Sequence, residues 1–276
     1  MKRPSNIVLA ASALVAIIIV SMLLGVSDYF LNIEGLVIVI GGSAVNAFLS
    51  YDKEDVKSAF LTIKNMLKEV PSSREKLHKD IRQLMLWSYI VKTSDFMELE
   101  KQIGNNIDDP IMRYGVNLVL TDYTSNHIRE MITTVAEAEF ERRCTPVTVL
   151  RNMAATAPAF GMVGTLIGMV MLLRNVGADI NNIGSGLAIA MLSTLYGILI
   201  ARLVCLPAAD KLLQKEEREL FRHEMLAEGF AMLVEKRSPF YMQDKLNSFL
   251  EPSKHFDFDN YQQLAMQHIF RSPRAA

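Results

Sequence analysis

Three hydroxyl side chains, Thr165, Ser193 and Thr194, stand inside two long apolar stretches between Ala154 and Asp210. Polar groups at membrane depth usually face a partner or a water-filled cavity. Hydroxyl oxygens there can ligate sodium or support a chain of water that carries protons. The hydroxyls therefore indicate an ion path. Their other interpretation is a hydrogen bond back to a carbonyl one turn earlier, which Ser and Thr often make in apolar helices.

Both stretches are also rich in small residues at four-residue spacing, which lets the backbones of membrane helices approach closely. The pairs are Gly164/Gly168, Ala190/Thr194 and Ser193/Gly197. Each stretch is long enough to cross a bilayer, and two successive spans joined by a short connector run antiparallel. Counting ~1.5 Å per residue then places Thr165 and Thr194 near mid-membrane at similar depth.

Neither stretch contains Asp or Glu, so the chain by itself presents no titratable acceptor to a passing ion. That carboxylate must come from elsewhere. The sequence also has no Gly-rich phosphate loop, no nucleophile elbow and no His-Glu-x-x-His helix, and its five histidines show no metal-ligand spacing. A net charge of -1 gives no indication of nucleic-acid binding. We therefore predict no enzyme, no cofactor and no metal site.

Two further apolar segments, residues 7–26 and 36–49, raise the predicted number of spans to four. The second is long enough only if it draws in Phe30, Leu31 and Ile33. The first has an alternative interpretation as a signal peptide, because positive charges precede it and a small-x-small site follows it. Its apolar run, however, exceeds the ~7 to 15 residues of a signal core, which favours a retained anchor.

The 29 Lys and Arg residues are unevenly distributed: two precede the first span, 15 lie between Lys53 and Arg151, and ten follow Pro207. By the positive-inside tendency, both termini and the long loop are cytoplasmic. The predicted fold class is an all-α integral membrane protein with four transmembrane helices, a large helical cytoplasmic domain between spans two and three, and a cytoplasmic helical tail. The predicted boundaries are 1–50 for spans one and two, 51–152 for the domain, 153–207 for spans three and four, and 208–276 for the tail with its frayed end.

Local patterns predict helices in the cytoplasmic parts. An apolar stripe at helical spacing begins at Leu77, and Asp109-Pro110 is typical of a helix start with Pro in the first turn. A longer helix from Ser125 should run toward span three, with Pro146 bending or breaking it. The apolar pattern after span four indicates that its helix continues into the cytoplasm.

Several motifs in this order resemble one known family, the A subunit of the flagellar motor stator, called the MotA/PomA family, within the MotA/TolQ/ExbB superfamily. The resemblance extends to about Leu250. Its most specific parts are VIVIGGS in span two, APAFGMVGTLIGMV in span three, AIAMLSTLYG in span four, and LPAADKL and AEGFAMLVEKRSPFYMQDKLNSFL after it.

The resemblance implies a multi-pass protein of the bacterial inner membrane that conducts protons or sodium and drives flagellar rotation. It implies a homo-oligomer, a pentamer, around two copies of a single-span B subunit of the MotB/PomB type, whose helix carries the membrane Asp. The rotor protein FliG is the implied partner on the cytoplasmic side. Sodium and proton coupling both remain open, because hydroxyls suit either ion.

Site residues follow from the same resemblance. Thr165, Ser193 and Thr194 match positions near the B subunit's Asp, and Lys92 and Glu100 match the charged rotor contact. Pro158 and Pro207 match two prolines that couple ion flow to movement. Each deletes a helical hydrogen bond and frees a carbonyl, although Pro207 could also be a simple helix stop at the membrane exit. Lys236-Arg237 departs from the family pattern, which leads us to expect Gly and a polar residue there.

Two alternatives to a stator subunit stay open at this point. A TolQ/ExbB-like energizer shares the chemistry but would have three spans in a different order. A non-conducting membrane scaffold would use the small residues for packing alone. Dependence of ion flux on a carboxylate-bearing partner helix distinguishes a scaffold from the other two.

Overall fold

The structure is a computed structural model that describes residues 32–66, 73–93, 96–103, 107–121, 123–174 and 180–255. Within these ranges the chain is helical and contains no β-strand. The α-helices described are α1 (Ile33–Ser50), α2 (Lys53–Asn65), α3 (Ser73–Thr93), α4 (Phe96–Ile103), α5 (Pro110–Val119), α6 (Ser125–Arg174), α7 (Ile180–Leu199), α8 (Leu206–Val234) and α9 (Pro239–Asn247). A π-helical segment, Ile200–Cys205, joins α7 to α8, and a 3-10 turn, Pro252–Lys254, follows α9.

Three described helical stretches are long and apolar enough to cross a membrane: Ile33–Ser50, Ser125–Arg174 and Gly184–Val234. They correspond to predicted spans two, three and four. Predicted span one, residues 7–26, lies outside the described residues. The 18-residue α1 is close to the lower limit for a span. Its start is fixed by Asn32, whose Oδ1 accepts a hydrogen bond from the Gly35 N–H at 2.8 Å.

The described residues fall into two compact units. The first draws its residues from the segments 1–69 and 144–214, and the second from 70–143 and 215–276. Helices α6 and α8 contribute residues to both units. The four-segment division predicted from the sequence stays a prediction.

Helix α6 passes through Pro146 and Pro158 without interruption, so it does not break at Pro146; a bend there, the other expected outcome, stays a prediction. A proline inside a helix costs roughly 3 kcal/mol. The helix next to Pro146 buries Val147, Val149 and Leu150 in the core of the first unit. Full burial of each such side chain stabilises by roughly 1.5 to 3 kcal/mol, so packing outweighs the cost of the proline.

The helix does not end at Pro207 either. The N–H of Leu206 donates to the carbonyl of Ala201, a five-residue spacing that ends the π-helical segment, and α8 then continues to Val234. Pro207 has no N–H to donate, and its ring needs room near the carbonyl four residues earlier. A widened turn supplies that room, and such π-bulges frequently occur at functional sites.

The second unit has an apolar core in which the stripe predicted from Leu77 is confirmed: Ile81, Leu84, Met85 and Val91 are buried. The start of α5 is also confirmed. Asp109 caps it, accepting hydrogen bonds from the N–H groups of the second and third helical residues, with Pro110 in the first position.

Candidate functional site

The α6 and α7 helices touch backbone to backbone along a line of small residues. A β-carbon on Gly168 would lie 2.6 Å from the amide nitrogen of Ala190 and from the carbonyl oxygen of Gly186. A β-carbon on Gly161 would lie 2.9 Å from the carbonyl oxygen of Ser193. Such distances leave no space for a side chain, so the predicted close packing of small residues is confirmed.

The contact line continues toward the end of α7. A β-carbon on Gly197 would lie 2.7 Å from the carbonyl oxygen of Ala157 and 3.0 Å from the Cα of Pro158. Later residues of α7 therefore meet earlier residues of α6, as the antiparallel prediction requires. Gly164 meets Ser193, one residue from Thr165 and Thr194 respectively. The three hydroxyl residues thus lie within about one helical turn of one another in depth.

The hydroxyls differ in their surroundings. Ser193 is fully buried, and its Oγ donates to the carbonyl of Ile189 at 2.7 Å. The Thr165 Oγ1 donates to the carbonyl of Met162 at 2.6 Å, and the described residues give Thr194 no such bond. Both threonines are half-buried. A hydroxyl that donates its hydrogen still offers two lone pairs, so back-bonding leaves the Thr165 oxygen able to accept. Ser193, covered by Gly164, serves the helix contact.

Helix α1 covers one side of the α6/α7 pair. The Asn32 N–H donates to the Tyr196 hydroxyl at 2.8 Å, and the side chains of Asn46 and Asn152 form a hydrogen bond of 2.8 Å. Between these bonds, a β-carbon on Gly42 would overlap the ring of Phe160 at 2.2 Å. These contacts fix the register of α1 against both neighbours.

Pro158, Thr165 and Thr194 lie on the opposite side from α1. Going round α6 at about 100° per residue, Thr165 lies about 40° to one side of Gly161, and Gly164, which meets Ile38 of α1, lies about 60° to the other. Residues of the antiparallel α7 likewise lie on one side or the other of the contact line, and Thr194 lies on the side away from α1. Pro158 precedes Thr165 by seven residues, two turns, and therefore shares its side. We call this side, defined by Pro158, Thr165 and Thr194, the open flank.

Large apolar side chains surround the open flank. Met162 and Met169 of α6 are 60% and 55% exposed, and Met191 of α7 is 68% exposed. Between Ala154 and Leu173, and again between Ile183 and Ala209, the sequence contains no Asp or Glu. Among the described residues no group of His, Cys, Asp and Glu is placed to hold a metal. The flank therefore offers two hydroxyls and a proline in an apolar setting, with no charge of its own.

Lys92 and Glu100 lie in the second unit, on successive helices. Lys92 occupies the last turn of α3, and Glu100 lies in α4. Both side chains are exposed, and neither forms an ion pair within the described part of the chain. The two residues between these helices, 94 and 95, are outside the described residues. The structure thus leaves both charges at the surface of the same unit.

A buried charged cluster in the second unit was missed by the sequence reasoning. The Arg222 guanidinium, 4% exposed, donates to Asp80, to Asp109 at 2.6 Å and to Glu219 at 3.2 Å. The sequence does contain a signal for it. Arg222 precedes the buried residues Met225 and Leu226 by three and four positions, which places it on the apolar face of α8.

The acids of this cluster respond to burial and to Arg222 in opposite ways. Burial raises the pKa of Asp80 despite its bond to Arg222. For Asp109 and Glu219 burial also acts to raise the pKa, but the attraction of neighbouring cations prevails and the pKa of each is lowered. Burial and the positive charge of Arg222 lower the pKa of the neighbouring His223. The cluster joins α3, α5 and α8 by charge-assisted hydrogen bonds.

These features define an all-helical membrane protein whose spans pack through small residues. Residues 103–225 match the sequence model of the MotA/TolQ/ExbB proton channel family. The chain is 31% identical over 228 residues to Bacillus subtilis YtxD, covering 82% of each chain. It is 27% identical to the chemotaxis protein PomA of Vibrio alginolyticus, over 87% of this chain and 92% of PomA. The chain belongs to the MotA/TolQ/ExbB proton channel family and, within it, to the MotA/PomA group.

Solved structures agree on the fold. The C. jejuni MotAB structure superposes with a TM-score of 0.79 at 20% identity, covering 91% of this chain and 98% of that one. The Bacillus subtilis MotAB stator complex gives a TM-score of 0.74 at 21% identity, over 87% and 96% of the two chains. At this identity the likeness concerns the fold.

Proposed function

We propose that this chain is the ion-conducting A subunit of a flagellar motor stator, coupling proton or sodium flow to torque on the rotor. The open flank carries the proposal: it pairs two half-buried hydroxyls with a helix proline in an apolar face that has no carboxylate. Such a face suits a second helix that brings the carboxylate with it.

The partner in this proposal is a single-span B subunit of the MotB/PomB type carrying a membrane Asp. A charged side chain at mid-membrane is costly unless it faces a protein interior or a water-filled cavity. An Asp placed against the open flank would have the hydroxyl oxygens of Thr165 and Thr194 nearby. The conducted ion would pass between the Asp carboxylate and these hydroxyls. The related solved structures are MotAB complexes, which supports a partner of this kind.

The topology in this proposal is four spans in the bacterial inner membrane, with both termini cytoplasmic. It is supported by the three described spans and by the distribution of Lys and Arg along the sequence. With Lys92 and Glu100 on the cytoplasmic side, the exposed charges of α3 and α4 would meet the rotor protein FliG. A pentamer of this chain would surround the B subunit, with an open flank from each copy turned inward.

Pro158 and Pro207 would then connect the ion path to movement. Pro158 has no N–H for the carbonyl of Ala154, on the same side as Thr165. Pro207 follows the π-helical segment, where helix hydrogen bonds have already changed spacing. Helices bend most readily at such positions, so a change of charge beside Thr165 could be transmitted along α6 and α8.

Valine substitutions at Thr165 and Thr194 test the function of the flank. Valine keeps the branched shape and removes the hydroxyl. If the hydroxyls serve the ion, both variants should impair ion-driven rotation or shift its dependence on sodium and pH, with the complex intact in membrane extracts. If they serve packing alone, the variants should be nearly silent, because hydrogen bonds between membrane side chains average about 0.6 kcal/mol.

Thr156 provides a matched control. Its Oγ1 also donates back to its own helix, to the carbonyl of Asn152 at 3.0 Å, but it lies away from the open flank. Thr156→Val should leave rotation and ion response unchanged. Wild-type rotation in both Thr165→Val and Thr194→Val would contradict the ion path and favour a scaffold.

A further inference from the structure

The C-terminal end of α8 has an unusual residue at its cap. The N–H of Lys236 donates to the carbonyl of Leu233 at 3.0 Å, and the N–H of Arg237 donates to that of Met232 at 3.2 Å. This pair of bonds is a Schellman cap, which requires a left-handed residue at the position of Lys236. Lys236 has a φ of 50°, the only positive φ of a non-glycine residue in the described chain.

Glycine is the usual residue at such a cap, because any β-carbon is disfavoured in the left-handed region. A lysine there is strained, and the backbone alone gives no reason to keep it. Backbone strain of this kind often persists where the side chain has a function. The side chain of Lys236 reaches the second unit's shortest described α-helix.

The ammonium of Lys236 lies 5.0 Å from the ring centroid of Phe96, within the range of a cation–π interaction. Phe96 is the first residue of α4 and is half-buried against the core. With eight residues α4 is too short to be stable in isolation, so its placement depends on side-chain anchors. Leu99, 1% exposed, is the anchor within the core, and Phe96 is the anchor at its start.

Glu100 lies one turn after Phe96 on the same helix, with its side chain in solvent. The direction in which Glu100 points is therefore set by how Phe96 and Leu99 hold α4. We propose that Lys236 is a positioning residue for the rotor contact: the strained cap of α8 aims its ammonium at Phe96 and holds α4 in the orientation that presents Glu100. This inference rests on the proposed function, because the rotor role of Glu100 belongs to it.

The neighbouring Arg237 supplies a matched control. Its guanidinium carbon lies 5.3 Å from the ring centroid of Tyr241, which belongs to α9, and its Nε donates to Glu235 at 2.7 Å. Arg237 thus makes a cation–π contact from the same end of α8 as Lys236, but toward α9. Loss of the Arg237 side chain should leave α4 unaffected.

Hydrogen exchange of the full chain, co-purified with its B subunit, tests the inference together with rotation. Lys236→Gly and Lys236→Asn relieve the cap strain and remove the cation. Lys236→Arg keeps the cation and leaves the cap strained. We expect amides of α4 to exchange about 2- to 5-fold faster in the Gly and Asn variants, with the last turn of α8 slowed. Torque should fall in those two variants, while Lys236→Arg and Arg237→Met should match the wild type in both readouts.

Unchanged exchange in α4 for both Lys236→Gly and Lys236→Asn would overturn the inference. So would a Lys236→Arg variant that loosens α4 as much as glycine does. Faster exchange in α4 with unchanged torque would show that Lys236 holds this helix and would refute the rotor role of Glu100. That outcome separates failure of the positioning from failure of the proposed function.

Discussion

The side chains of Lys92 and Glu100 are exposed, so their charges can act only at the surface of the protein. Exposed ion pairs contribute little to stability, so these residues have no evident structural duty in the second unit. Replacing either by a neutral residue should have a mild effect, because the remaining charge still attracts an opposite charge on the rotor. Reversing both should repel the same groups.

We therefore expect Lys92→Glu combined with Glu100→Lys to reduce swimming speed and stall torque strongly, while the protein still assembles in the membrane. Glu137→Lys, an exposed charge reversal on α6 in the same unit, is the control and should remain close to wild type. Unchanged torque in the double reversal would exclude this surface as the rotor contact.

Arg222 balances the charge of three carboxylates in the second unit, those of Asp80, Asp109 and Glu219. Removing one partner of a buried ion pair typically costs 3 to 5 kcal/mol, because the remaining charges stay buried without compensation. Arg222→Met should therefore lower the free energy of unfolding by about that amount at pH 8. The sole tryptophan, Trp87, lies in this core at 4% exposure, so its fluorescence during urea unfolding gives the measurement.

The pH dependence of this variant has a definite sign. In the wild type the lowered pKa values of Asp109 and Glu219 stabilise at neutral pH, and this is lost only in acid, below the usual carboxyl values of 3.8 and 4.5. The raised pKa of Asp80 acts in the opposite sense, so its contribution is lost as pH rises. Without Arg222 each of the three carboxyl groups loses an interaction that lowers its pKa, so each pKa should rise relative to the wild type, and the deficit should shrink from pH 8 to pH 5.

Arg218→Met, which removes an exposed cation from the same helix, is the control and should change unfolding little at either pH. A deficit in Arg222→Met that is equal at pH 5 and pH 8 would contradict the account of the cluster.

The positions of residues were predictable where side-chain chemistry and place in the sequence agree. A hydroxyl inside an apolar span is visible in the sequence, and Thr165 and Thr194 do lie half-buried together. The sequence could not separate them from Ser193, because that difference depends on which residue of α7 meets Gly164. The grouping of Arg222 with Asp80 and Asp109 joins residues more than 100 positions apart, which no local pattern records.

At the scale of elements, the contact between α6 and α7 depends on having no side chain at a few positions. A β-carbon on Gly168 would lie 2.6 Å from backbone atoms of α7, which cannot move aside as a flexible side chain can. Gly168→Ala should therefore separate the helices at a cost of about 1 to 3 kcal/mol. Thermal inactivation of the purified complex should occur at a lower temperature.

Gly41→Ala is the matched control, because a β-carbon on Gly41 of α1 meets no atom within 4 Å. It should inactivate at the wild-type temperature. Equal behaviour of the two variants would refute close packing as the basis of the helix pair.

Helix extents were harder to predict than helix existence. The sequence indicates where α5 begins, because Asp109 and Pro110 act locally through the cap and the first turn. It could not exclude a break at Pro146, since the cost of a proline is local but the burial of Val147 and Leu150 that outweighs it is tertiary. At Pro207 the helix neither stops nor continues unchanged, because a π-helical turn absorbs the proline.

At the scale of the whole molecule, this protein needs a partner subunit if it is to conduct ions. Spans three and four hold hydroxyls and prolines but no carboxylate over residues 154–173 and 183–209, so an ion path along them is incomplete without a partner. A scaffold would have no such dependence. A TolQ/ExbB-like energizer would share it, but would not rotate a flagellum.

Ion flux in proteoliposomes that contain the chain with a MotB/PomB-type B subunit tests the central claim most directly. With pH-sensitive and sodium-sensitive dyes inside, we expect flux of one ion only when both subunits are present, and only when the B subunit keeps its membrane Asp. Replacing that Asp by Asn should abolish flux while the two subunits still co-purify. Flux from this chain alone, or flux that survives the Asn variant, would contradict the account.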